Sequence, residues 1–344
     1  MLVVVAAAFA RDDQVVVDGR PFPGARITEL NNGRLHFVQA TGQQKMPWLA
    51  DVDSLYVDRS GPFVDFNEAE RYLANGDYDR AIERYRRAAL RCDEYWPELI
   101  EARILTALHR AGRLRDGVRS YVRVVRGLTT GPAVAARLMP EVTGDARTKE
   151  VSQTLGELDE AIMKMPESDP KGMLLLLRHD ILRRIGEAPD ARAAWAVGRI
   201  AVPVHARTQR VYEIKLDALS RAFGQEPEEA LAEAIDEAIR NCPKRILPKF
   251  LLLKGEALLR VAKDRDDLIR ASWPFLRVVV HMAGKAEAAE GLYRTAIVLE
   301  KLGRPRKAMA MLEECLQHPR ADEPTKENAK MALERMRASA KERG

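Results

Sequence analysis

The chain has 344 residues, of which 46% are hydrophobic and 31% are charged, a composition typical of a folded globular protein. Its formal net charge of +5 is too small an excess to require nucleic acid as a partner. The three cysteines lie far apart without a CxxC pair, which excludes a disulfide framework and a cysteine-based metal site.

The first segment, residues 1–10, is apolar and ends in Ala8-Phe9-Ala10 before a charged stretch. It is too short to span a bilayer, but it matches the apolar region and small-x-small cleavage site of a secretory signal peptide. No positive residue precedes it, so either the true start lies upstream of Met1 or the segment is an inward-facing strand. We expect a periplasmic or cell-envelope protein if the segment is a signal peptide, and a cytoplasmic one otherwise.

Residues 11–58 have the alternating polar and apolar pattern of short strands. The pattern is clearest over residues 25–30 and 34–38, and Asn31-Asn32-Gly33 between them is a hairpin turn signal. Further short strands are expected at residues 14–19, 43–48 and 54–57. Together they predict a small antiparallel barrel or strongly bent sheet, and the segment resembles SH3-like and Sm-like barrels. Its few basic residues are offset by acidic ones, which favours a packing or docking role over RNA binding.

A polar linker containing Ser60-Gly61-Pro62 is expected at residues 59–65, and helical periodicity dominates beyond it. Residues 67–91 read as two amphipathic helices that meet at Gly76. A second copy of this pattern occupies residues 289–319. In both copies, aromatic or small residues recur at helical spacing around a turn glycine: Gly76, Tyr78, Ala81, Tyr85 and Ala88 in the first copy, Ala296, Gly303 and Ala308 in the second. The chain here resembles the tetratricopeptide repeat (TPR) family, in which glycine permits the interhelix turn and alanines mark the closest helix contacts.

The spacing of glycines at possible turns indicates a repeat length for the helical part of the chain. They occur at Gly76, Gly112, Gly186, Gly224 and Gly303, with Ala262 near the midpoint of the last interval. The implied period of about 36–41 residues is slightly longer than the 34 residues of the family. We therefore predict a mainly α fold, a TPR-like α-solenoid of helical hairpins behind the small β domain. Repeats are expected over residues 66–131 and 170–319, with an irregular helical break at 132–169 and a capping helix at 320–344.

No catalytic pattern is present in the sequence. The six histidines show no paired spacing, and no phosphate-binding loop or nucleophile elbow occurs. We expect a non-enzymatic protein without a cofactor or metal, and Cys92 and Cys315 fall at apolar helical positions where buried free thiols are expected.

Positive charge is concentrated between Arg80 and Arg126, a segment that contains 12 Lys/Arg and 6 Asp/Glu. Two sets of arginines each share a helix face: Arg84, Arg87 and Arg91, and Arg119, Arg123 and Arg126. They are either a solvated outer surface or a basic patch for an acidic protein, a polyanion or RNA. An acidic block at residues 226–237 leaves self-association between basic and acidic segments open as well.

The resemblance to the TPR family implies a concave groove, lined by the first helix of each hairpin, that binds a protein or peptide segment. It places six residues on or near that groove: Glu70, Leu73, Thr106, His109, Tyr293 and Ile297. The lysines and asparagines with which some family members clamp a peptide carboxylate are absent at these sites. The expected function is a scaffold or adaptor for protein–protein interaction. The alternatives are a polyanion or RNA binder and an accessory subunit of an envelope enzyme or secretion assembly.

Overall fold

The computed structural model describes residues 13–31, 34–58, 63–93, 96–127, 132–142, 148–187, 189–224 and 228–342. The predicted signal peptide at 1–10 lies outside these residues. So do residues 59–62 of the predicted linker and Asn32-Gly33 of the predicted hairpin turn.

Five antiparallel strands form one sheet in the order β4-β3-β2-β1-β5. They are β1 (Asp13–Val17), β2 (Arg20–Asn31), β3 (Arg34–Val38), β4 (Gln44–Lys45) and β5 (Val52–Tyr56). The long strand β2 pairs with β1 along its first half and with β3 along its second half. The predicted antiparallel sheet is confirmed, and of the two predicted forms, a small barrel or a bent sheet, it is the open sheet that forms. Among the described residues, the two-residue strand β4 pairs only with β3 and never meets β5 at the other edge.

Fifteen α-helices follow in the described part of the chain, so the mainly α fold with an N-terminal sheet is confirmed. The first seven are α1 (Phe63–Ala74), α2 (Tyr78–Ala89), α3 (Trp96–Arg110), α4 (Leu114–Gly127), α5 (Pro132–Arg137), α6 (Thr148–Met163) and α7 (Asp169–Arg184). The others are α8 (Ala191–Gly198), α9 (Gln209–Arg221), α10 (Glu228–Asn241), α11 (Leu247–Val261), α12 (Arg265–His281), α13 (Ala286–Lys301), α14 (Pro305–Gln317) and α15 (Glu323–Glu342). Short 3-10 turns lie at Leu49–Asp51 and Val204–Ala206.

Turn glycines separate the helices of several hairpins. Gly76, Gly112 and Gly303 lie in three-residue connections between α1 and α2, α3 and α4, and α13 and α14, with φ of 78°, 67° and 70°. Positive φ is strained for residues with a Cβ, so glycine suits these turns. Gly186 and Gly224 also have positive φ and follow α7 and α9. Most helices pack chiefly on their neighbours in sequence, which gives a solenoid-like array.

The described residues fall into two compact units, one running to residue 187 with 201–206, the other covering 189–200 and the chain from 207. The sheet belongs to the first unit and shares its core with α1, α2 and α3. Phe63, the first residue of α1, packs its ring on that of Trp96, with centroids 4.7 Å apart. The end of the predicted linker is therefore helical, with Phe63 and Asp65 buried and Val64 exposed. The predicted irregular helical break at 132–169 contains α5 and α6, and α6 packs on α4 and α7 within the first unit.

In the second unit, α15 packs on the last hairpin. Leu333 and Met336 are buried against Leu312 and Cys315 of α14. Met331 is 55% exposed because it lies on the opposite face of the helix from Leu333. Cys92 and Cys315 are buried free thiols and Cys242 is a half-buried one.

Candidate functional site

Two of the residues predicted to line a groove, Glu70 and Leu73, are buried, at 4% and 2% exposure. The Glu70 carboxylate accepts a hydrogen bond from the backbone N–H of Leu55 on β5 at 2.9 Å. It also accepts one from the Tyr85 hydroxyl and forms an ion pair with Arg103 at 2.7 Å. Both side chains are therefore inaccessible to a groove ligand, and Glu70 instead links the sheet to the helices.

The groups around Arg103 keep its guanidinium group charged. Burial alone would lower its pKa, but the Glu70 carboxylate holds the pKa of Arg103 above its usual range. The same burial, together with Glu70, raises the pKa of the Tyr85 hydroxyl. Both raised pKa values keep Arg103 charged and Tyr85 neutral at neutral pH.

The remaining predicted groove residues lie in two different units. In the first unit, Thr106 is half-buried and donates its hydroxyl to the Ala102 carbonyl at 3.0 Å, and His109 is exposed. In the second unit, Tyr293 and Ile297 are half-buried on α13. Of the residues predicted to define the repeat, Ala81, Tyr85, Ala88, Ala296 and Ala308 are buried and Tyr78 packs partly against the core.

An open groove of about 430 Å³ lies within the second unit, between alternate helices. The helices that line it are α9, α11 and α13, together with the start of α15. Its lining residues are Leu216, Ser220, Lys249, Leu252, Leu253, Glu256, Ala286, Glu287, Glu290, Asp322 and Thr325. Because these helices alternate along the chain with α10, α12 and α14, the groove follows one layer of the array.

The groove combines a leucine surface with an excess of carboxylates. Leu216, Leu252 and Leu253 supply the apolar part, and four carboxylates face one lysine among the lining residues. Arg294 partly offsets the acidic charge, because it binds Glu256 at 2.5 Å and Glu290 at 3.4 Å.

The two other carboxylates of the groove, Glu287 and Asp322, form no ion pair with Arg294. Hydrogen bonds from the Thr325 hydroxyl and backbone N–H lower the pKa of Asp322, so it is ionised at neutral pH. The groove therefore carries a negative charge beside an apolar surface.

Two of the predicted groove residues, Tyr293 and Ile297, lie on α13, which is one of the helices around the groove. The residues of α13 that line the groove are Ala286, Glu287 and Glu290, nearer the start of the helix. Lys249, Leu253 and Glu256 on α11 recur at steps of three and four residues, a spacing that places them on one helix face. That periodicity was available in the sequence, but which face of α11 is open depends on its neighbours.

The arginines of the predicted basic patch are largely paired with carboxylates. Arg84 binds Asp65 at 2.8 Å and Glu68 at 3.0 Å. Four further members have their own partners: Arg87 with Glu83, Arg91 with Asp65, Arg119 with Glu157, and Arg123 with Glu101. Arg126 reaches the Ala161 carbonyl at 3.5 Å.

Hydrogen bonds from Arg119 and Arg115 lower the pKa of Glu157 to about 2, so this carboxylate stays ionised and neutralises part of the patch. Much of the local positive charge is thus balanced within the first unit.

Within the described ranges, no three His, Cys, Asp or Glu side chains come together so that they could hold a metal ion. None of the helices in that part of the chain combines the length and apolar character needed to cross a membrane. No protein-family model matches the sequence, and no curated protein is significantly similar to it.

Proposed function

We propose that the chain is a non-enzymatic helical-repeat adaptor, and that its second unit binds a segment of a partner protein in the groove along α9, α11 and α13. The observation that carries this proposal is the groove itself, which is open, elongated across successive hairpins and lined by both apolar and charged side chains. Tetratricopeptide-like arrays bind peptides on the corresponding layer of first helices.

The lining chemistry supports a particular class of ligand. Leu216 and Leu253 offer apolar contacts, and Glu287 and Asp322 offer negative charge. Electrostatic complementarity selects a partner of the opposite sign and speeds its association. The proposed ligand is a peptide segment that carries lysine or arginine beside leucine-like or aromatic side chains.

A random peptide library displayed on phage and selected against the full chain tests this proposal. Enriched peptides should contain basic and apolar residues, and their affinity should fall at least about tenfold in a Ser220→Arg/Glu287→Lys variant, which fills the groove and reverses its charge. Both residues lie at the groove surface, and Ser220 is exposed. The matched control is Glu314→Lys, an exposed acidic residue on α14 outside the groove. Equal binding of the peptides to both variants would contradict the proposal.

The compartment is a separate part of the proposal and rests on the sequence of residues 1–10. We propose an exported adaptor that works in the cell envelope, either alone or as an accessory subunit of an envelope assembly. Sequencing the N-terminus of the protein from its native host tests this: an exported chain should begin near Arg11, whereas a chain that retains residues 1–10 contradicts export.

Binding of a polyanion or RNA by the basic segment has less support, because the arginines there are paired with carboxylates of the same unit. An anionic polymer would have to compete with those carboxylates for the same guanidinium groups. Binding to RNA that weakens steeply with salt and is lost on charge reversal at Arg84, Arg87 and Arg91 would favour this alternative.

A further inference from the structure

Helix α12 exposes a stripe of apolar side chains. Trp273, Leu276 and Val280 are 67%, 37% and 68% exposed, and their spacing of three and four residues places them on one side of the helix. The opposite side, which carries Ala271 and Phe275, is buried. The stripe extends about 10 Å along the helix, at a rise of about 1.5 Å per residue. Exposed apolar side chains grouped in this way mark a contact with another molecule more often than single scattered residues do.

A cleft of about 350 Å³ lies beside this stripe, between α10, α11 and α12. Its apolar walls include Ile239, Leu251 and Leu258, and Trp273 also lines it. On α11, Leu251 and Leu258 share a face opposite the one that carries Leu253, so the cleft is separate from the groove described above. The cleft offers space for an apolar side chain of another molecule beside the indole.

The charged side chains that line the cleft are predominantly positive. Three are cations, Lys254, Arg270 and Arg277, and one is a carboxylate, Asp236. Lys254 binds Asp236 at 2.5 Å, so these two charges offset each other. The two arginines, both exposed, remain as an excess of positive charge at the cleft.

Neither arginine is held by a close carboxylate in the part of the chain that the structure describes. Arg277 forms no ion pair with any described residue. Arg270 lies 3.9 Å from Asp267, which is too far for a hydrogen bond. The Asp267 carboxylate instead accepts a hydrogen bond from the backbone N–H of Lys263 at 3.1 Å. Both guanidinium groups can therefore turn towards the carboxylates of a partner.

The spacing of these residues defines the shape of that partner. Arg270, Trp273 and Arg277 follow one another at steps of three and four residues, so the two cations lie two helical turns apart with the indole between them. Two turns correspond to about 10 Å. A second helix that packs along α12 presents its own side chains at the same interval. Tryptophan and arginine are also among the residue types most enriched at the contacts that dominate protein–protein binding.

We propose that the occupant of this face is an acidic amphipathic helix of a partner protein. An apolar side chain of that helix enters the cleft beside Trp273, and two carboxylates, two turns apart, bind Arg270 and Arg277. Leu276 and Val280 extend the apolar contact along α12. Docking of a helix through apolar anchors at this spacing is a recurring mode of peptide recognition, and opposite charge adds specificity. The site does not depend on the ligand proposed for the groove, which lies on the other side of α11.

A library of amphipathic helical peptides tests this proposal. Their binding face has varied apolar residues and two fixed glutamates, spaced as Arg270 and Arg277 are. Peptides selected against the full chain are measured by fluorescence anisotropy. Their affinity should fall at least about tenfold in Arg270→Glu/Arg277→Glu, and by a similar factor when glutamine replaces both fixed glutamates. Trp273→Ala should weaken binding about 30-fold, as for a central aromatic contact residue.

Two control variants locate the site. Arg306→Glu/Lys307→Glu makes the same charge change at exposed cations on α14 and should leave the affinity unchanged. The groove variant Ser220→Arg/Glu287→Lys should also bind these peptides as the wild type does, which separates this site from the groove. Because Arg270, Trp273 and Arg277 are exposed, their variants should keep the helical circular dichroism of the wild type.

A library that yields no binder overturns the proposal. So do peptides that bind Arg270→Glu/Arg277→Glu or Trp273→Ala as tightly as the wild type. An equal loss of affinity in Arg306→Glu/Lys307→Glu overturns it by showing attraction to overall charge. The alternative occupant is a second copy of the chain. Sedimentation equilibrium that reveals a dimer, dissociated by Trp273→Ala, would assign the face to that copy and overturn the proposal as well.

Discussion

The guanidinium group of Arg103 binds both carboxylate oxygens of Glu70, with Nε–Oε1 and Nη2–Oε2 distances of 2.7 Å. Arg103 also donates to the carbonyls of Val52 at 2.8 Å and Asp53 at 3.0 Å, at the start of β5. Its side chain, which begins on α3, therefore holds the sheet against α1. This buried ion pair therefore helps to join the N-terminal sheet to α1 and α3.

Replacing Arg103 with methionine should destabilise the first unit by roughly 3–5 kcal/mol, because Glu70 would remain as a buried charge without its partner. The Val52 and Asp53 carbonyls would lose their donor as well. Urea unfolding followed by circular dichroism measures the loss. The control is Arg123→Met, whose pair with Glu101 lies at the surface and should contribute less than about 1 kcal/mol. Similar losses in the two variants would show that burial of the pair has no special effect.

Gly255→Ala should destabilise the second unit by about 1–3 kcal/mol through overpacking. A Cβ at Gly255 would lie 2.4 Å from Cε1 of Phe275, a ring that is fully buried between α11 and α12. Differential scanning calorimetry of the full chain measures the shift of the second unit. Gly284→Ala is the matched control, because a Cβ there meets nothing within 4 Å and should change the stability by less than about 0.5 kcal/mol. An unchanged transition in Gly255→Ala would contradict the close packing of α11 on α12.

Lys215 should make the stability of the second unit depend on pH. Its ammonium group is buried, donates to the Ile200 carbonyl at 2.5 Å, and burial lowers the pKa to about 8 despite an opposing effect of Glu237. Between pH 8 and about 10.5, Lys215 is protonated in the unfolded chain but largely neutral in the folded chain. The free energy of unfolding therefore rises with pH over this range. Below pH 8 both states are charged, and the cost of burying the charge is constant.

The Lys215→Met variant should therefore be more stable than the wild type at pH 7, by roughly 1–3 kcal/mol, and this advantage should vanish near pH 11. The Ile200 carbonyl loses its donor in the variant, which keeps the gain below the full electrostatic cost. Urea unfolding of both proteins across this pH range provides the measurement. Lys249→Met, at an exposed lysine, should show no such convergence. A constant difference between Lys215→Met and wild type at all pH values would rule out titration of Lys215.

The three thiols should react with iodoacetamide in a fixed order. Cys242 is half-buried and should be alkylated first in the native protein. Cys315 should react last, because its thiol donates to the Ala289 carbonyl at 3.2 Å and burial raises its pKa to about 11. Mass spectrometry of tryptic peptides after timed alkylation measures each rate. Fast alkylation of Cys315 in the folded chain would show that α15 does not stay packed over α14.

The sequence was most informative where the physical cause is local. A glycine that permits positive φ between two amphipathic segments defines a turn without reference to distant residues, and Gly76, Gly112 and Gly303 have this geometry. The strand at residues 34–38 was predicted at its observed bounds, since its alternation matches a sheet with one buried face. The short partner β4 and the open edge depend on pairing across the sheet, which alternation alone does not reveal.

Distant partners explain what the sequence could not show. Glu70 was predicted to face a groove because it lies on a first helix, yet its partner Arg103 comes 33 residues later in the chain. Gly255 lies at an ordinary helical position. A larger residue does not fit there because the ring of Phe275 on the next helix fills the space. The lining of the groove likewise depends on how α9, α11 and α13 pack together, and no single helix contains that information.

Helix α11 has one face in the groove and the opposite face in the cleft beside Trp273. The wall between the two surfaces is therefore one helix thick, about 10–12 Å. Because the two surfaces share this wall, a substitution that moves α11 changes the shape of both of them.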